Sequence, residues 1–110
     1  MTVPEVTVPE VTAHRLGLIA EIPVGEGRAY AVGSEQVAVF RLRDGTLRAM
    51  QAICPHAGGP LADGHTDATT VICPLHNHVF ALADGACTNG DYTVRVFPVR
   101  DENGQVVIDI

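Results

Sequence analysis

Two short boxes in the chain carry side chains able to do inorganic chemistry. Cys54-x-His56 lies within CPHAGGPLADG at 54–64, Cys73-x-x-His76 lies within CPLHNH at 73–78, and sixteen residues separate His56 from Cys73. Each box offers one thiolate and one imidazole, so two loops together supply the four ligands of a closed metal site. Sulfur and nitrogen donors suit zinc or an iron-sulfur centre and do not suit calcium or magnesium, which take oxygen. A zinc site of this composition ordinarily pairs like ligands, two cysteines close together and then two histidines. Here each loop contributes one of each. That mixture fits a two-iron cluster in which Cys54 and Cys73 hold one iron and His56 and His76 the other. The chain has three cysteines, which excludes a four-cysteine cluster. A zinc-stabilised binding module is the alternative on the residues alone.

The boxes interrupt a text of short apolar alternations broken by Gly and Pro, which points to strands and leaves no room for a long helix. VAVFRLR at 37–43 places Ala38, Phe40 and Leu42 on one face, and TLRAMQAI after it aligns Leu47, Ala49 and Ile53. Asp44-Gly45 between them predicts a two-residue hairpin. Asp84-Gly85 and Asn103-Gly104 give the same signal, so the sheets should be antiparallel. Pro98 within VRVFPVR marks an edge strand or a bulge. TVPEV occurs twice, at 2–6 and 7–11, and its prolines and β-branched residues favour an extended tail over 1–12 without chemistry of its own. The expected organisation is that tail followed by one domain over 13–110.

Composition excludes several functions. With 46% apolar and 18% charged residues the chain reads as a soluble globular protein, and no apolar run approaches the roughly 18 residues of a membrane span. Its first residues lack the features of a signal peptide, so the cytoplasm is the expected location. A net charge of -6, with no Trp, two Tyr and three Phe, argues against nucleic acid as a partner. An acidic surface does suit a protein partner bearing a basic docking patch. No nucleophile–base arrangement, phosphate loop or dinucleotide fingerprint is present, so no catalytic residue is assigned. Cys87 is expected to be a small buried apolar residue, His14 and His65 to be solvated loop residues, and His78 to tune the adjacent box or to lie at the surface.

CPHAGGPLADG and CPLHNHVFALADG resemble the two cluster loops of the Rieske family, and GEGRAYAV, VAVFRLRDGTLRA and VRVFPVR are also similar to members of that family. The resemblance implies an antiparallel β-sandwich with a cluster-binding subdomain made of two loops, holding a 2Fe-2S cluster on Cys54, His56, Cys73 and His76. Within the family the chain most resembles the small subunit of assimilatory NAD(P)H-dependent nitrite reductases. That likeness implies a large partner subunit bearing flavin, a 4Fe-4S cluster and siroheme, and a part in reducing nitrite to ammonium. Ring-hydroxylating dioxygenase ferredoxins share the boxes and the size, and imply another redox partner. High-potential members carry a disulfide across the cluster, where this chain has Gly59 and Leu75. They place Ser and Tyr hydroxyls beside the cluster sulfurs, where this chain has His78 and Phe80. Fewer donors to sulfur imply a potential at the lower end of the family range. Gly58, Gly59 and Pro60 are expected to let backbone pass close to the cluster.

Overall fold

The computed structural model describes residues 12–54, 58–75 and 77–110. The N-terminal repeat, His56 and His76 lie outside the described residues. Ten strands follow in order: β1 Ala13–Leu18, β2 Glu26–Val32, β3 Glu35–Arg41, β4 Leu47–Gln51, β5 His65–Thr66, β6 Thr70–Ile72, β7 Val79–Ala81, β8 Val96–Phe97, β9 Val99–Glu102 and β10 Gln105–Asp109. Two single 3₁₀ turns, Ile19–Glu21 and Leu61–Asp63, complete the regular structure among the described residues. Among the described residues no helix is long and apolar enough to cross a membrane.

The strands form three sheets, β1-β10-β9, β2-β3-β4-β8 and β5-β6-β7, with antiparallel pairing between neighbours. The four-stranded sheet lies between two cores. On one face Ala38, Phe40, Leu42, Met50 and Ala52 pack with Leu61, Val71, Phe80, Val94 and the two box cysteines. On the other, Val37, Val39, Ala49 and Phe97 pack with Val106 and Ile108 of β10. Strand β3 is therefore buried on both faces, which explains why VAVF is continuously apolar where a half-buried strand would alternate. Ile53 departs from the expected alignment with Leu47 and Ala49: the chain leaves β4 before it, and its side chain is exposed.

The three hairpin signals resolve differently. Asn103-Gly104 forms the expected two-residue turn between Glu102 and Gln105, with φ of 55° and 83°, matching the twist of the strands it joins. At Asp44-Gly45 the loop is three residues, because Leu42 N–H still donates to Thr46 O at 2.9 Å. Gly45 takes φ +88° and the Asp44 carboxylate accepts from the Thr46 amide, giving a turn followed by a bulge. At Asp84-Gly85 four residues separate Ala81 from its partner Ala86. Pro98 sits where the chain passes from β8, an edge of one sheet, to β9, an edge of another, so its missing N–H breaks no ladder.

Candidate metal centre

The two box cysteines leave strand ends that face the same core. Cys54 follows β4, and the loop it opens closes through Cys54 N–H to Gly59 O at 2.8 Å and Gly58 N–H to Cys54 O at 2.9 Å. An Ile53–Pro60 bridge pins the base of that loop. Cys73 follows β6, and its loop closes through Cys73 N–H to His78 O at 2.8 Å. The first loop thus leads out of β4, and the second joins β6 to β7 of the β5-β6-β7 sheet.

Both thiols are buried in the same core, close enough to influence each other's ionisation. Burial pushes the Cys73 thiol above its ordinary pKa, the Leu75 amide opposes this, and the Cys54 contact adds to the rise. Ionising two adjacent buried thiols requires a strong compensating positive charge. The segment 49–94 contains no Lys or Arg, so no side chain of this half can supply it permanently. A metal ion bound to both sulfurs can, because binding itself drives deprotonation. Cys54 and Cys73 thus fit one side of a two-iron cluster.

Gly59 shows why the first loop needs glycine. A Cβ there would stand 2.8 Å from Cys73 Sγ and 3.2 Å from Leu75. The close approach expected toward a cluster is therefore also an approach to a cysteine of the other loop. Gly58, at φ +71°, makes the preceding bend. Leu75 is 42% exposed, Phe80 is fully buried, and Cys54, Cys73 and Cys87 form no disulfide. The phenyl ring of Phe80 has no hydrogen-bond donor to offer sulfur.

The remaining candidates need revision. Cys87 is only half-buried, with Sγ 3.3 Å from Asn89 Oδ1 and 3.8 Å from His78 Nδ1. His78 is half-buried and meets the Tyr92 ring edge-on at 5.1 Å. His14 and His65 lie in strands β1 and β5, not in loops. Asn89 escaped the sequence reading altogether: it bonds the backbone on either side of His78. Nothing in the sequence around Asn89 indicated what its carboxamide would reach.

Around the two loops Ile53 is 40% exposed, matching Leu75, and Pro60 and Pro74 are exposed beside them. Asp63, Asp67, Asp84 and Asp91 are the charged residues of segment 49–94 apart from its histidines, and all four are exposed.

Comparisons with known proteins agree with this geometry. Residues 13–100 match the family model of the Rieske [2Fe-2S] domain. The anthranilate 1,2-dioxygenase ferredoxin subunit of Burkholderia cepacia is 36% identical over 99 residues, covering 88% of this chain and 91% of that one. A ferredoxin of Sphingomonas yanoikuyae superposes with a TM-score of 0.79 at 31% identity, over 90% of this chain and 99% of the other. A Mycobacterium tuberculosis protein assigned as an NADH-dependent nitrite reductase small subunit gives a TM-score of 0.84 at 25% identity, over 91% and 96%. The chain spans 26% of the length of some larger relatives, which are oxygenase components. These matches leave the zinc-stabilised module without support. A family model covering most of the chain, a close relative covering nearly all of it and two buried thiols brought together by two loops lead to one conclusion: the chain belongs to the Rieske [2Fe-2S] family, and its cofactor is a Rieske-type 2Fe-2S cluster.

Proposed function

We propose that this chain is a one-electron carrier of the ferredoxin kind, passing electrons to the oxygenase of a ring-hydroxylating system. Cys54 and Cys73 hold one iron of its cluster, and His56 and His76 hold the other. The observation that carries the reading is the pair of buried thiols meeting beneath two loops whose outer residues, Ile53, Pro60, Pro74 and Leu75, are exposed and apolar. When bound, the cluster takes up one electron, passing from an uncharged oxidised centre to a singly negative reduced one.

The chain's own residues protect and present that centre. Burial of Cys54 and Cys73 keeps water from the sulfurs, and Gly59 lets the first loop close down on Cys73. Phe80 fills the space below with hydrocarbon and offers no hydrogen bond to sulfur, which favours a low potential. Exposed Ile53 and Leu75 offer apolar surface that a partner can dehydrate, while the four exposed aspartates of the same segment attract a basic partner. Two relatives that this chain covers almost completely, at 36% and 31% identity, are ferredoxins, which favours a mobile shuttle. The TM-score of 0.84 favours a second reading, the small subunit of a nitrite reductase, whose large partner would carry flavin, a 4Fe-4S cluster and siroheme.

The test is spectroscopic and then hydrodynamic. Dithionite-reduced protein should give an axial or rhombic Rieske paramagnetic resonance signal, and Cys54→Ser should abolish it. Film voltammetry should give a potential at the lower end of the family range; a strongly positive value would contradict the argument from Phe80. On gel filtration with the native partner a shuttle separates and a subunit stays bound. Stable co-elution with a siroheme-containing chain would replace the first reading by the second.

A further inference from the structure

The side chain of Asn89 fastens the second cysteine loop from outside. Asn89, on the segment between β7 and β8, donates from Nδ2 to Asn77 O at 3.1 Å and accepts at Oδ1 from Val79 N–H at 2.9 Å. Its carboxamide therefore spans His78 as a neighbouring strand's peptide group would, satisfying the Asn77 carbonyl and the amide of Val79, the first residue of the edge strand β7. Thr88 N–H continues the pairing with Val79 O at 2.8 Å, and Cys87 Sγ donates to Asn89 Oδ1 at 3.3 Å. Asn77 is one of two non-glycine residues with positive φ among those described, at 55°. A left-handed non-glycine conformation persists where its surroundings hold it, and the Asn89 bond to the Asn77 carbonyl is such a hold. Asn77 follows His76 directly, and the loop's other end is Cys73.

We infer that Asn89 is a positioning residue for the cluster, fixing the loop that presents Cys73 and His76 without touching the metal. The inference rests on the proposed ligand assignment. Its two hydrogen bonds to backbone run to atoms downstream of His76, so losing them loosens the segment that directly follows that ligand. A shift in ligand geometry alters the electronic structure of a metal centre as well as its retention.

Asn89→Asp is the sharper variant. It keeps an acceptor for Val79 N–H but sets a carboxylate oxygen against the Asn77 carbonyl, replacing a bond by a repulsion. Asn89→Ala removes both bonds. Thr88→Val, which deletes a hydroxyl 3.4 Å from Val79 O on the same segment, serves as the neighbour control. Expected for both Asn89 variants are displaced g-values in the reduced state, a shifted midpoint potential, and cluster release to a chelator faster by roughly fivefold for each bond lost. Thr88→Val should leave all three unchanged. If Asn89→Ala does not fill with cluster, the Asn89→Asp spectrum decides. If neither fills while Thr88→Val does, and both retain parental strand content by circular dichroism, the clamp is supported. Parental g-values and potential in a filled Asn89→Asp protein would overturn the inference, as would an equal shift in Thr88→Val. A parent protein without any Rieske signal would overturn the ligand assignment beneath it.

Discussion

Strands β1, β2, β3, β4 and β10 run for five to seven residues, whereas β5, β6 and β7 under the cysteine loops run for two or three. All seven basic residues, Arg15, Arg28, Arg41, Arg43, Arg48, Arg95 and Arg100, lie outside segment 49–94. The part of the molecule outside that segment is tied across its surface by ion pairs, Arg15 to Glu102 at 2.6 Å, Arg95 to Glu35 at 2.8 Å, and Arg100 to both Glu102 and Asp109. In the cysteine-bearing half the corresponding work is done by side chains binding backbone. Asp67 accepts from the amides of Thr69 and Thr70, Asp84 from that of Ala86, and Asn89 from that of Val79. The difference has a functional reading. A segment without Lys or Arg leaves its thiolates to be neutralised by metal, and leaves its four exposed aspartates to attract a basic partner.

The strongest way to break that comparison is to open a cavity in each half. Phe80 and Ile108 are both fully buried, the first beneath the cysteine loops and the second against β3 and β4 on the far face. Phe80→Ala should cost about 3–5 kcal/mol and Ile108→Ala about 2–5 kcal/mol by chemical denaturation. Only Phe80→Ala should also change the paramagnetic signal and hasten cluster loss. If Ile108→Ala disturbs the signal as strongly, the two halves are not separately responsible for fold and site.

Glycine turns offer a smaller and cleaner contrast. A Cβ on Gly85, at φ +77°, would lie 2.0 Å from Val94 O, whose residue also donates its N–H to Gly85 O at 2.9 Å. A Cβ on Gly104, at φ +83°, meets nothing within 4 Å. Gly104→Ala should cost only the left-handed conformation, about 1–2 kcal/mol. Gly85→Ala adds a backbone clash in the cysteine-bearing half and should cost about 2–4 kcal/mol, with a weakened cluster signal. Equal denaturation midpoints for the two variants would deny that the short-stranded half depends on close backbone approach.

These turns also show how far the residues alone could be read. Asn-Gly at 103–104 dictated its turn because both φ values are local properties of those two residues. Asp44-Gly45 gave the hairpin but not its length, since Leu42–Thr46 pairing depends on the register of β3 with β4. A Gly33-Ser34 hairpin joining Val32 to Glu35 passed unnoticed, although glycine at its first position, φ +60°, is the usual requirement. The cysteine boxes were legible because ligand chemistry restricts residue type and spacing together. That Gly59 abuts Cys73 Sγ, or that Asn89 reaches Asn77 and Val79, depends on contacts between segments ten or more residues apart. No local pattern encodes them. Likewise VAVFRLR declared a strand with one apolar face, but only the meeting of three sheets shows that both faces are buried, each in a different core.

The smallest expected effect tests the comparison through acid and salt. The Glu102 carboxyl lies below its ordinary pKa, chiefly through the hydrogen bond and charge of Arg15, with Arg100 contributing. Asp67 is likewise lowered, but by the backbone amides of Thr69 and Thr70. In each case the folded value is depressed, so the carboxylate stabilises the fold above the unfolded value, near 4 for both types, and that contribution is lost as pH falls through the folded value. Urea midpoints measured from pH 5 to pH 3 should therefore fall less steeply in Glu102→Gln and in Asp67→Asn than in the parent. Molar salt separates the two. It screens the exposed arginine pairs of Glu102 and should shrink the difference between Glu102→Gln and parent, because exposed ion pairs are readily screened. The short contacts between Asp67 and backbone amides are local hydrogen bonds, so the Asp67→Asn difference should persist. Equal suppression by salt would mean that charge, not turn geometry, holds the cysteine-bearing half as it holds the other.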